Sequence, residues 1–320
     1  MKLQELLNDY LEYLELERNM AQGTIRMYHF YLTDFLKHLN KPEASIEALS
    51  EDAIHNYRLD LSRRLSSKSA ETIKKNTQKG FLVALRAFLK YLLITKNLKV
   101  LSPEKVILGK AEPSIPKFLN NEQLDRLLSV QNLDRKSGLR DKAILEVLFS
   151  TGLRVSELTH LNRESINFES KEFSVIGKGR KVRTVYLSDA SVTSLKRYLA
   201  TRKDAFKPLF VRYSGKTMEA GDSDGESARL SVRSVERMLE KYVGRSGISI
   251  GATPHTLRHT FATDLLSHGA DLRSVQEMLG HSSLSTTQIY THVTNQQLKS
   301  VHGKFHGKEA DLLDSGSSPE

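Results

Sequence analysis

Six residues between positions 253 and 292 could do chemistry together: His255, Arg258, His259, His281, Tyr290 and His292. They lie in T-P-H-T-L-R-H-T-F-A-T and, after a spacer, in L-G-H-S-S-L-S-T-T-Q-I-Y-T-H. Imidazoles, a guanidinium and a phenol suit work on a phosphate, with the tyrosine as nucleophile. A free phenol has a pKa of about 10 and attacks poorly at neutral pH, so a base and cations must lie close to it. A metal site is the competing reading, because His255 and His259 are four apart on a helix and His281 offers a third ligand. The helix lacks the glutamate beside the first histidine that zinc hydrolysis uses, and Arg258 inside the pair would repel a cation. No metal ligand set and no cofactor is therefore expected. Taken singly, His259 and His292 read as packed structural residues.

Local signals place most of these side chains. Thr253 and Pro254 open a helix as N-cap and first helical residue. His255 and Arg258, three apart, then share one face, while Leu257, Phe261 and Leu265 form another, buried face. Gly269 closes that helix. Asp271 caps the next, which buries Leu272, Val275 and Leu279 and ends at Gly280, so a helix terminus fixes His281. Ser285, Thr286 and Thr287 begin a last short helix that carries Tyr290.

Upstream, helices are predicted at 121–130 and 139–150. Thr151-Gly152 ends the second, and a short helix follows with Arg154 in its first turn and Glu157 beside it. The period then changes. Residues 173–176 and 181–187 read as two strands joined by a tight turn at Gly177-Lys178-Gly179-Arg180. The turn is not a phosphate-binding P-loop, since the upstream glycine and the hydroxyl residue after the lysine are missing. On its own Lys178 reads as a charged hairpin tip. Helices at 190–202 and 231–243 flank 213–231, whose Gly, Ser and acidic residues predict a mobile surface loop.

Residues 1–101 predict a small bundle of four amphipathic helices. The fourth, opened by Ser69 or Ala70 with Glu71 in its first turn, carries Lys74, Lys75, Lys79, Arg86 and Lys90 on its polar side. A solvated surface is the plain reading of that face and a DNA-groove contact the functional one. Pro103, Pro113 and Pro116, without apolar periodicity, mark 102–117 as an extended linker. The second domain then covers 118–306, and a tail at 307–320 is expected to be disordered. The fold class is mainly α with a small antiparallel β-sheet in the second domain. A length of 320 residues fits two domains, and a net charge of +10 favours an anionic partner, nucleic acid first. There is no cysteine, which excludes disulfides and thiolate chemistry. Glu5 and Asp9 interrupt what a signal peptide needs as its apolar core, and no apolar run approaches a membrane span. A cytoplasmic protein is expected.

Four motifs together resemble the tyrosine recombinase (phage integrase) family, and its Xer-like members in particular. They are T-G-L-R-V-S-E-L at 151–158, G-K-G-R-K-V-R at 177–183, H-T-L-R-H-T-F-A-T at 255–263 and L-G-H-S-S-L-S-T-T-Q-I-Y-T-H at 279–292. They occur in the family's order and span nearly the whole second domain. The first domain resembles the family's helical core-binding domain only in length and pattern. The resemblance implies an α+β catalytic domain behind a four-helix core-binding domain, the two clamping double-stranded DNA. It implies Tyr290 as the nucleophile, leaving a 3′-phosphotyrosyl link and a free 5′-hydroxyl. Arg154 and Arg258 would clamp the nonbridging phosphate oxygens, with His281 as a further donor. Lys178 would protonate the leaving oxygen, His255 would accept the tyrosine proton, and Glu157 would orient the site. Arg180 joins Lys74, Lys75, Lys79, Arg86 and Lys90 as an implied DNA contact.

The implied activity is site-specific recombination through a Holliday junction. Xer-like chromosome dimer resolution is favoured because no additional arm-binding domain is seen. Integration and excision of a mobile element is the alternative; a type IB topoisomerase and a non-catalytic DNA-binding protein stand further off. Residues 296–305, with Leu298, Val301 and Phe305, resemble the family's C-terminal helix, which docks on a neighbour in a homotetramer. A helix folded back on its own domain is the other reading. A partner recombinase or an activator protein fits the same picture. Tyr186 and Ser165 depart from the family's usual proline and acid, and the 213–231 loop is longer and more acidic than expected.

Overall fold

Apolar side chains recurring every three or four residues wind the N-terminal region into four helices: α1 (Leu3–Leu16), α2 (Gln22–His38), α3 (Glu51–Arg63) and α4 (Lys75–Ile94). The computed structural model describes residues 1–40, 44–66, 70–109, 116–177, 181–213 and 222–280. The chain divides into two units, Met1–Ser114 and Ile115–Glu320. In the first, α4 packs against α1, α2 and α3. Leu82, Leu85, Leu89 and Leu92 of α4 meet Leu6, Leu7 and Tyr10 of α1 and Phe35 of α2 in one core. Ser50 caps α3 by accepting a hydrogen bond from the Ala53 amide at 3.1 Å.

Two expectations for this region change. Helix α4 starts at Lys75, not near position 70. Thr72 instead forms an antiparallel bridge with Leu65, the Ser66 amide donates to Glu71 O at 2.8 Å, and the Ile73 amide donates to Arg64 O at 3.0 Å. A β-branched Thr-Ile pair finds a ladder partner there, and that pairing displaces the first helical turn. Lys74 becomes the N-cap residue of α4. The chain also stays packed beyond position 101. After a short 3-10 turn at Pro103–Lys105, Val106 is fully buried in the bundle core and Leu108 packs against it. Proline stiffens this segment without detaching it.

The second unit is built around α6 (Lys136–Thr151). Ala143, Ile144, Leu145, Val147 and Leu148 are fully buried, and Asp141 and Glu146 are buried beside them, so the middle of this helix is enclosed nearly all round. Against it pack α5 (Asn121–Ser129), α7 (Val155–Thr159), α8 (Asp189–Ala200), α10 (Pro254–Ser267) and the strand β2 (Val182–Tyr186). β2 pairs antiparallel with β1 (Glu172–Ile176), from Glu172 opposite Tyr186 to Ile176 opposite Val182. The Gly177 amide donates to Lys181 O at 2.8 Å where the strands part. Phe173, Val175 and Val185 face the core, while Ile176, Val182, Thr184 and Tyr186 face outward. The period-2 alternation read from the sequence sets this division. The helices α9 (Val232–Arg245) and α11 (Leu272–Leu279) complete the described part of the unit. The fold is mostly helical with a small two-stranded antiparallel sheet. No described helix is long and apolar enough to cross a membrane.

The polar stretch after Tyr213 is not loop throughout. Residues 214–221 lie outside the described residues, but 222–231 are anchored. Asp222 accepts from the amides of Glu226 and Ser227 at 3.0 and 2.7 Å. Arg229 donates to the carbonyls of Thr159 and Leu161 at 3.0 and 3.1 Å, and Ala228 and Leu230 are buried. Composition pointed to a mobile surface loop; a half-buried arginine fork and a carboxylate-capped turn anchor its second half.

Candidate active site

Gly152 is the pivot of the first motif. It caps α6 in the left-handed region at φ +60, and a Cβ there would lie 2.4 Å from Phe261 Cδ1. Only glycine fits both demands. The turn it makes delivers Arg154 to the N-cap of α7, one position outside the helical turn expected for it. The Arg154 amide donates to Glu157 Oε2 at 2.9 Å, and Arg154 Nη1 donates to Glu157 Oε1 at 2.8 Å.

Glu157 has a second cation that the sequence reading did not single out. Arg183 on β2 donates from Nη1 to Oε1 at 3.0 Å and from Nη2 to Oε2 at 2.7 Å. Each carboxylate oxygen therefore accepts two hydrogen bonds. Burial would raise the Glu157 pKa, but the bonds from Arg183 and Arg154 outweigh it and bring the carboxyl down to about 2. Glu157 is a fixed anion that holds two guanidiniums. Arg183 was within reach of the sequence, since it closes the G-K-G-R-K-V-R motif and points to the inner face of its strand.

His255 and Arg258 do not share one environment. His255 is exposed on the first turn of α10, whereas Arg258 is only 4% exposed. Eight of the fourteen α10 residues are buried, on every side of the helix, because α6 covers one flank and α11 another. Arg258 turns inward and donates from Nη1 to Gly152 O and from Nη2 to Leu279 O. It thus ties the turn before Arg154 to the end of α11. His259 is half-buried; burial first, then His255 and Arg258, hold its pKa below the usual value. Its environment is that of a packed residue.

The caps read from the sequence hold at this end of the chain. Thr253 accepts from the Thr256 amide at 3.2 Å with Pro254 at the first helical position. Asp271 accepts from the amides of Arg273 and Ser274, each at 2.9 Å. Gly280 ends α11 at φ +64. Lys178, Arg180, His281, Tyr290 and His292 lie outside the described residues, as do 296–305 and 307–320. Among the described residues, three arginines converge on one carboxylate and on the ends of two helices. The positive balance of this cluster suits an anion.

The basic helix of the first unit divides. Lys75, Lys79, Arg86 and Lys90 recur at four, seven and four positions, so they form one stripe along α4. Lys74, outside the helix, is off it. Lys75 and Lys79 also line a groove with His55 and Arg58 of α3, neither of which was anticipated. At the other end of the stripe lies Glu104. Its carboxyl is held below its ordinary range first by the Ser102 hydroxyl, with Arg86 and Lys90 contributing.

Comparison with known proteins supplies the rest. Residues 117–297 match the phage integrase family, and residues 7–96 match the phage integrase N-terminal SAM-like domain. The chain belongs to the phage integrase family, the tyrosine recombinases. The tyrosine recombinase XerC of Syntrophus aciditrophicus (strain SB) is 36% identical over 317 residues, covering 96% of this chain and 98% of its own length. The tyrosine recombinase XerD of Listeria monocytogenes serotype 4b (strain F2365) is 32% identical over 311 residues, covering 95% and 99%. The pre-cleavage complex of the XerH site-specific recombinase bound to difH substrate shares the fold. Its TM-score is 0.65 at 24% identity, over 89% of this chain and 80% of that one. This tyrosine recombinase is thus a DNA-cleaving and rejoining enzyme with a SAM-like helical N-terminal domain and an integrase catalytic domain.

Proposed function

We propose that this recombinase exchanges strands at a specific duplex DNA site by Xer-type chemistry. One observation carries the reading. Arg258 is bonded to the carbonyl of Gly152, 106 positions earlier and two residues before Arg154. Two guanidiniums from separate motifs are thereby brought to one place, which a phosphate clamp requires. In this reading Arg154 and Arg258 bind the nonbridging oxygens of the scissile phosphate, and His281 donates a third hydrogen bond. Tyr290 attacks phosphorus, His255 takes its proton, and Lys178 protonates the departing 5′-oxygen. A 3′-phosphotyrosyl link forms as the phosphodiester breaks, so the bond energy is kept for rejoining. Glu157 orients Arg154. Lys75, Lys79, Arg86 and Lys90 on the first unit, with Lys74 beside them, would meet the DNA backbone. Arg180 would do the same from the hairpin, and residues 296–305 would join subunits in a tetramer.

The similarity to XerC and XerD along nearly their whole length favours chromosome dimer resolution over service to a mobile element. The test begins with genomic DNA recovered on Tyr290→Phe. One site near the replication terminus supports the Xer role; the ends of a mobile element point to an integrase. A nicked suicide duplex bearing the recovered site should then become covalently attached to the wild-type protein and not to Tyr290→Phe, which still binds it. Failure of the wild-type protein to form the adduct would overturn the proposed chemistry.

A further inference from the structure

We infer that Arg183 is a positioning residue for strand cleavage, setting the turn at Gly280 in register with Arg154. The inference rests on the recombinase reading above and adds a residue to it. Arg183 makes two sets of contacts. Its Nη atoms grip Glu157, which in turn holds the backbone and the guanidinium of Arg154. Its Nε donates to Met278 O, 95 positions away, at 3.1 Å. The side chain is also pressed against the turn that follows, because a Cβ on Gly280 would lie 3.0 Å from Arg183 Cδ.

The end of a helix makes this contact consequential. The Gly280 amide turns back to Gln276 and Glu277, which leaves the carbonyls of Met278 and Leu279 without partners inside α11. Arg183 takes the first and Arg258 takes the second. Two cations thus sit at the negative end of the helix and fix its last turn. Both reach back to the segment 152–157, Arg258 through Gly152 O and Arg183 through Glu157. His281 follows Gly280 directly in the chain. Moving the Gly280 turn would shift, relative to Arg154, the point from which the chain runs on to His281. Arg183 spends Nε, Nη1 and Nη2 on protein groups, and its charge is paired two-pronged with the Glu157 carboxylate where the Nη atoms of Arg258 meet only neutral carbonyls, so a role through its neighbours accounts for it better than contact with DNA.

Single-turnover cleavage of the suicide duplex bearing the recovered site tests this, with protein in excess. Arg183→Gln keeps some hydrogen bonding but loses the charge and the fork; Arg183→Lys keeps the charge alone. Both should bind the duplex within about two-fold of wild type and cleave it about 10-fold to 100-fold more slowly, the scale expected of a sub-ångström misplacement. Glu157→Gln combined with Arg183→Gln should be no slower than the worse single variant, because the two act through one contact. A purely structural role predicts something else: a lower thermal midpoint, an undiminished rate constant per folded molecule, and losses that multiply. If Arg183→Gln does not fold, Arg183→Lys and Glu157→Gln still decide the matter from opposite sides of the contact. Wild-type cleavage with undiminished rates in these variants overturns the inference alone. Absence of cleavage by the wild-type protein overturns the recombinase reading and the inference with it.

Discussion

Arg183 and Glu157 form a two-pronged pair at 3.0 and 2.7 Å between a strand and a short helix 26 positions apart. Arg154 completes the set on the other side of the same carboxylate. The carboxylate carries no spare capacity, which fixes its charge and its pH behaviour.

That pair should be visible in acid. The Glu157 carboxyl is depressed to about 2 in the folded chain, against about 4.3 for an unfolded glutamate. A depressed acid contributes stability that is full above the unfolded value and is lost as pH falls towards the folded one. Thermal midpoints of wild type and Glu157→Gln should therefore differ most near neutrality and draw together between about pH 4 and pH 2. A constant gap across that range would contradict the pairing.

Gly152→Ala should be costly. The new methyl enters a left-handed backbone position and meets the Phe261 ring at 2.4 Å. Backbone strain of about 1–2 kcal/mol adds to an overpacking cost of about 1–3 kcal/mol. Denaturant unfolding measures the sum, and Phe261→Leu in the same chain should recover the steric part only.

Val106 marks how far the first unit extends. Being fully buried, it should cost about 1–3 kcal/mol when cut back to alanine. Ile107→Ala next to it, 61% exposed, should change little. Equal midpoints for the two variants would return this segment to the status of a linker.

The cationic stripe on α4 should govern the salt dependence of DNA binding. Lys79→Ala and Arg86→Ala are each expected to lower the slope of log affinity against log salt by about 1, across sequences alike. Lys74→Ala, off the stripe, should lower it less. Arg58→Ala should resemble Lys79→Ala, since the two line one groove. Titrations at several salt concentrations distinguish these outcomes.

Short-range chemistry was legible in the chain itself. The caps at Thr253 and Asp271, the glycine stops at Gly152 and Gly280, and the strand alternation around the hairpin each depend on a few neighbouring residues. The order of four motifs carried the family for the same reason. Where a distant partner intervened, the reading failed. Thr72 paired with Leu65 and erased a helical turn; Val106 found the bundle core; Arg229 pinned a stretch whose composition spoke for a mobile loop. The site divides along the same line. Residue types and spacing marked His255 and Arg258 in the chain, and the family resemblance added Arg154 and Glu157. Only the tertiary structure turned Arg258 inward onto Gly152 and Leu279, left His255 outside, and brought Arg183 to Glu157 and Met278. Hydrogen bonds between residues so far apart leave no periodic trace in a sequence, because they depend on how α6, α10 and α11 pack and not on what stands next to what.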